Sequence, residues 1–279
     1  MTQAQLPRKD LTVAFIGAGN MARSLIAGLM EDNSPLNIRV ADPDQNQLDV
    51  IRRHWPDITV DTDNLAMIDG ADMVVLAVKP QVMGNVVGPL QDIAQKQRPV
   101  FVSVAAGIRE ASLNEWLGGG LPIVRCMPNT PALVQAGATG LFANDLVSAE
   151  QRSLAESILR AVGIALWFEE EAKLDAVTAV SGSGPAYFFL VMEAMQQAAE
   201  NLGLKPEDAN LLVIQTALGA AKLALESDDR PAELRRRVTS KGGTTEAAIN
   251  KLNEGGLVDL FGEALQAAAR RSEELAKQG

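Results

Sequence analysis

The sequence predicts an α/β domain with a mostly parallel sheet, residues 1–168, followed by an all-α domain, residues 169–279. Three observations carry that expectation. Short β-branched runs alternate with helical stretches in the first part, as βαβ units require. A glycine loop, Gly17-Ala18-Gly19-Asn20-Met21-Ala22, joins the first run to the first helical pattern. From about Glu169 the β-branched runs stop, and Ala, Leu, Glu and Gln dominate.

Taken in order, Leu11 to Ile16 is continuous and apolar, as a buried parallel strand should be. A helix follows from Asn20 to about Met30. Further strands are expected at Ile38 to Ala41, Met73 to Val78, Val100 to Val104 and Ile123 to Cys126. Ala138 to Phe142 and Ile164 to Phe168 add strands at the edge of the sheet. Between them, Ser148 to Val162 reads as a helix with Ser148 as its N-cap. In the second part, helices are broken at Gly203, Lys205-Pro206, Arg230-Pro231 and Gly255-Gly256. The stretch Ala186 to Ala199 is apolar around most of its circumference, so several of its sides must be covered. Either the first domain or a second subunit does so, and a symmetric dimer is the preferred reading.

Composition narrows the function classes. With 279 residues and 47% hydrophobic content, the chain can bury a sizeable core. A formal net charge of -10 argues against nucleic acid or an anionic membrane as partner. Met1 to Asp10 lacks an apolar signal core, and no apolar run reads as long enough to span a bilayer. One Cys and one His exclude an internal disulfide framework and argue against a zinc site, so no metal is expected. The lone Cys suits a cytoplasmic location.

The glycine loop fits G-x-G-x-x-G/A, follows a strand, opens a helix, and has Asp42 at the end of the next strand. That is the context of a dinucleotide site. Gly17 permits the tight turn, Gly19 close approach of a pyrophosphate, and Ala22 helix–strand packing. Asp42 is placed to accept hydrogen bonds from an adenosine ribose, which favours NAD, or else simply forms the turn Asp42-Pro43-Asp44. Two more loops lie where strands of an open sheet end: Ala77-Val78-Lys79-Pro80-Gln81 and Ala105-Ala106-Gly107. Their small residues let a nicotinamide lie against backbone. Lys79 either aids by charge or is a surface lysine. Asn129 either orders the loop near the nicotinamide or belongs only to the turn Asn129-Thr130-Pro131. A second glycine turn, Gly242-Gly243-Thr244-Thr245, opens a late helix, where free N–H groups and the helix dipole suit a small carboxylate. His54, beside Trp55-Pro56, reads as a helix-end residue, and Cys126 as a small buried one. Ser183 is no hydrolase nucleophile, because position 181 is Ser and only His54 is available as a base.

Arg125-Cys126-Met127-Pro128-Asn129-Thr130-Pro131-Ala132-Leu133 resembles the pyrroline-5-carboxylate reductase family. Val180 to Tyr187 (VSGSGPAY) and Val238 to Thr245 (VTSKGGTT) resemble two further motifs of that family, and the matches run in order over nearly the whole chain. The resemblance implies reduction of 1-pyrroline-5-carboxylate to L-proline with NADPH or NADH. It also implies a Rossmann domain followed by a helical domain that interleaves with its copy in a dimer, which in this family often assembles into a decamer. By the same resemblance, the N–H groups of Gly243, Thr244 and Thr245 hold the substrate carboxylate, the Thr245 hydroxyl lies near the ring nitrogen, and Asn64 contacts the adenosine ribose. Two departures are Ala22 where the family usually has Gly, and Lys241 where it usually has Pro. The rivals are a hydroxyacid or ketopantoate-type dehydrogenase and a non-catalytic dinucleotide sensor. The first generally places a catalytic lysine on a helix of its second domain, and the second has no use for Gly242 to Thr245.

Overall fold

The computed structural model describes residues 11–31 and 35–277. The polar start Met1 to Asp10, read above as lacking a signal core, lies outside the described residues. The residues fall into two compact units: those up to Ser183 together with those from Ala268 onward, and Gly184–Ala267.

The first unit is built on eight strands: β1 (Thr12–Ile16), β2 (Asn37–Ala41), β3 (Thr59–Asp61), β4 (Met73–Leu76), β5 (Val100–Ser103), β6 (Ile123–Met127), β7 (Gly137–Ala143) and β8 (Gly163–Trp167). They form one sheet in the order β3-β2-β1-β4-β5-β6-β7-β8. Every pairing is parallel except β6 with β7. Its helices are α1 (Asn20–Glu31), α2 (Gln45–His54), α3 (Asn64–Ile68), α4 (Met83–Val87), α5 (Gln91–Gln97), α6 (Glu110–Trp116), α7 (Ala149–Arg160) and α8 (Lys173–Val177). A π-helical turn over Thr178–Gly182 follows α8. The order reverses at β1, so the crevice between the ends of β1 and β4 is the switch point at which such sheets bind ligands.

All seven expected strands form. The additional strand, β3, is three residues long with two of them exposed, so it carries no hydrophobic pattern to read. Helix α7 starts at the expected cap: Ser148 Oγ accepts from the Gln151 N–H, and Gln151 Oε1 accepts from the Ser148 N–H. Each face of the sheet has its own core. Phe15, Leu25, Ile26, Val40 and Leu159 belong to one, and Ile16, Leu76, Met83, Phe101 and Leu113 to the other. Ala22 is fully buried in the first of these, which explains the small residue at the third position of the glycine loop.

The second unit is helical: α9 (Gly184–Asn201), α10 (Pro206–Glu226), α11 (Pro231–Arg237), α12 (Thr244–Glu254) and the first part of α13 (Leu257–Ala276). The last turns of α13 belong to the first unit. Few side chains of this second unit are buried; Ala209 and Val213 are the buried hydrophobics among them. Phe188, Phe189, Leu190, Leu211 and Val258 are all more than 60% exposed.

One expectation is corrected. The helical stretch Lys173–Asn201 is long and apolar enough, by length and composition, to cross a membrane. Its apolarity is spread over Ala, Val, Gly and Phe rather than gathered in one uninterrupted run, so the sequence shows no continuous apolar span there. A helix buried in a protein interface passes the same test, so length alone does not make this one a span.

Candidate active site

The geometry of the first unit is that of a dinucleotide cradle. Gly17 has φ +102°, and a Cβ there would lie 2.6 Å from the Ala77 carbonyl oxygen. Only glycine allows the loop after β1 to approach the loop after β4 so closely. At Gly19 the reverse holds: a Cβ would meet nothing within 4 Å, so the backbone opens onto free space. Gly19 carries the carbonyl that accepts from the Arg23 N–H, which leaves the N–H groups of Asn20, Met21 and Ala22 at the start of α1 without intrahelical acceptors. Donors beside an open face at a positive helix end fit a pyrophosphate.

A cavity of about 420 Å³ adjoins this loop and is lined by Gly17, Pro43, Asn64, Val78, Asn85 and others. It brings Gly17, Asn64 and Val78 together, three residues separated by long stretches of sequence. Asn64 gets there because Asp63 caps α3, its side chain accepting from the Leu65 N–H. Asp42 does more than form a turn. Its Oδ2 accepts from the Ala18 N–H at 2.7 Å and its Oδ1 from the Asp44 N–H at 2.8 Å, which fastens the glycine loop to the end of β2. Each oxygen retains a lone pair for a ribose hydroxyl.

Lys79 is exposed and precedes a 3₁₀ turn that starts at Pro80. Ala105, Ala106 and Gly107 follow β5, with Gly107 at φ +76° and the Leu275 side chain behind it. Asn129 follows β6, and both ends of its amide are engaged: Oδ1 accepts from the Ala138 N–H, and Nδ2 donates to the Ser181 carbonyl. It therefore ties β6 to β7 and to the π-helical turn. Cys126 is buried in β6, and that burial pushes its thiol far up, away from the thiolate a nucleophile needs. His54 ends α2, with Nδ1 2.8 Å from the Val50 carbonyl.

In the second unit, Gly243 is the N-cap of α12, and Gly242 has φ +72°. The turn spends two of its own donors: the Gly243 N–H bonds the Ser240 carbonyl, and the Gly242 N–H bonds Glu246 Oε2 at 2.7 Å. The N–H groups of Thr244 and Thr245 open the helix and have no intrahelical acceptor. Sequence reading missed Glu246. Its signal was available, since a glutamate in the first turn of a helix commonly reaches back to the chain before it.

Comparison with known proteins gives two family models, each matching a different part of the chain. Residues 171–275 match the family model described as pyrroline-5-carboxylate reductase dimerisation, and residues 12–107 match that described as NADP oxidoreductase, coenzyme F420-dependent. A pyrroline-5-carboxylate reductase of Pseudomonas aeruginosa is 55% identical over 267 residues, covering 95% of this chain and 97% of the relative. The chain belongs to the pyrroline-5-carboxylate reductase family. A solved family structure from Coxiella burnetii superposes with a TM-score of 0.91 at 47% identity, covering 95% of this chain and 98% of that one. The Plasmodium falciparum pyrroline carboxylate reductase, solved with NADP bound, has a TM-score of 0.83 at 26% identity, covering 97% and 100%.

Proposed function

We propose that the chain reduces 1-pyrroline-5-carboxylate to L-proline with NADPH or NADH, as the family does, with the two units dividing the work. The first unit orients the cofactor. The N–H groups of Asn20 and Met21 take the pyrophosphate beside Gly19, Asp42 and Asn64 take the adenosine ribose, and Ala77 to Pro80, Ala105 to Gly107 and Asn129 frame the nicotinamide half. Bound there, the reduced nicotinamide supplies the hydride. The second unit holds the substrate. The turn Gly242 to Thr245 receives the carboxylate, chiefly through the Thr244 and Thr245 N–H groups, and the Thr245 hydroxyl hydrogen-bonds the ring nitrogen. No strong acid is required, because the amine product takes up its proton readily. Orientation then supplies most of the rate enhancement.

What carries this reading is the presence, on one chain, of two glycine-opened helix starts at Gly19 and Gly243, together with 55% identity to a named reductase over 95% of this chain. The test is oxidation of NADPH and of NADH in the presence of pyrroline-5-carboxylate, with a 2-keto acid as control. Turnover of the imine alone supports the reading, and turnover of the keto acid alone replaces it with the dehydrogenase rival. Asp42 favours NADH, since a carboxylate repels a 2′-phosphate. Asp42→Ser is expected to move the ratio of kcat/KM values toward NADPH by about tenfold, equivalent to about 1.4 kcal/mol. Assembly of dimers into decamers and a cytoplasmic location complete the proposal; the single reduced, buried Cys126 suits the latter.

A further inference from the structure

Buried polar side chains are few in the first unit, and two of them, Asp175 and Ser272, meet on one carboxylate. Asp175 on α8 accepts from Arg109 Nη2 through Oδ2 at 2.6 Å and from Ser272 Oγ through Oδ1 at 2.7 Å. One turn earlier, Glu171 Oε1 accepts from the Glu110 N–H at 2.6 Å and from Arg125 Nη1 at 2.7 Å. The Glu110 carboxylate in turn accepts from Asn144 Nδ2 at 2.7 Å. Arg109 and Glu110 open α6, directly after the Ala105–Gly107 loop and the buried Ile108. That loop is therefore gripped from two directions. Two carboxylates hold the residues that leave it, and Leu275, one turn after Ser272, stands behind Gly107, with its Cβ 3.5 Å from where a glycine Cβ would be.

Ion pairs of this kind contribute little net stability, because desolvating both charges offsets their attraction. Their value lies in fixed geometry, and the geometry they fix here is that of one loop. We propose that Asp175 is a positioning residue for the cofactor: through Arg109 and Ser272 it sets the Ala105–Gly107 backbone against which the nicotinamide half lies. The inference rests on the assignment of that loop to the nicotinamide made above. It adds residues from α8 and from the end of α13, neither of which is a cofactor-binding element in the sequence reading.

The test is fluorescence titration of NADPH and of NADH into wild type, Asp175→Asn and Ser272→Ala, with hydrogen exchange of the apo proteins. Asp175→Asn keeps the shape and loses the charge that holds Arg109. It is expected to raise the cofactor Kd at least tenfold and to speed exchange at residues 105–109, leaving exchange in the glycine loop after β1 unchanged. KM for pyrroline-5-carboxylate at saturating cofactor should stay within about threefold, because misplacement is confined to one ligand. Ser272→Ala removes one arm only and should give a smaller shift in the same direction; it carries the test if Asp175→Asn does not fold. A lowered Tm with unchanged Kd and unchanged exchange at 105–109 would show a purely structural pair and overturn the inference. Wild type that binds neither cofactor would overturn the site assignment itself, a result distinguishable from a variant that binds as wild type does.

Discussion

The two units of this chain bury their apolar residues in opposite ways. In the first, Phe15, Phe101, Leu25 and Ile26 are fully buried, and each face of the sheet has its own cluster. In the second, Phe188, Phe189, Leu190 and Leu211 stand more than 60% exposed. The first unit has a core of its own. The second is half of one, and the family model that matches residues 171–275 is a dimerisation model, which names what supplies the other half. Large apolar side chains exposed together on an isolated chain mark an interface. The first unit thus rests on local packing, whereas the second, which contains the Gly242–Thr245 turn, finds its cover in the dimerisation that the family model describes.

The largest expected effect separates the two kinds of core. Phe101→Ala should cost about 3–5 kcal/mol of stability, as deletion of a fully buried aromatic ring does, and denaturant titration should give the same value at every protein concentration. Phe188→Asp should instead weaken association by about 2–4 kcal/mol, the range of an interface anchor, seen as a concentration-dependent midpoint. If the two variants behaved alike, the distinction between the units would be lost. Next in size, Thr245→Ala should lower kcat/KM by about 1–3 kcal/mol of transition-state stabilisation while cofactor Kd stays fixed. An unchanged kcat/KM would leave the carboxylate held by backbone alone.

Legibility followed the range of the interactions. The glycine loop, Ser148 and the strands that become β1, β4, β5 and β6 were readable because turn geometry, capping and buried runs are local properties. The Asp175 network was not, since its hydrogen bonds to Arg109 and Ser272 join residues 66 and 97 positions apart, and no spacing rule marks them. For the same reason the return of α13 to the first unit was invisible, because its periodic pattern does not say which core its last turn joins. The apolar circumference of Ala186 to Ala199 calls for cover, and the dimerisation model that matches residues 171–275 points to a second copy as its source.

The smallest expected effect lies at the edge of the sheet. Partial burial raises the pKa of Glu156, but hydrogen bonds from Trp167 Nε1 and Arg160 outweigh it and hold the carboxyl below its ordinary value near 4.5. A depressed folded pKa contributes stability that is present above 4.5 and lost as pH falls through the folded value. Glu156→Gln should therefore lower Tm slightly at pH 7, and the gap from wild type should close toward pH 3. A gap that widened on acidification would contradict the assigned hydrogen bonds.

Sedimentation equilibrium of the wild-type chain over a range of concentrations tests the contrast between the units most directly. A mass of two chains or an even multiple, with little monomer at micromolar concentration, is the predicted result. A stable, cooperatively folded monomer that leaves Phe188, Phe189 and Leu211 in water would contradict it.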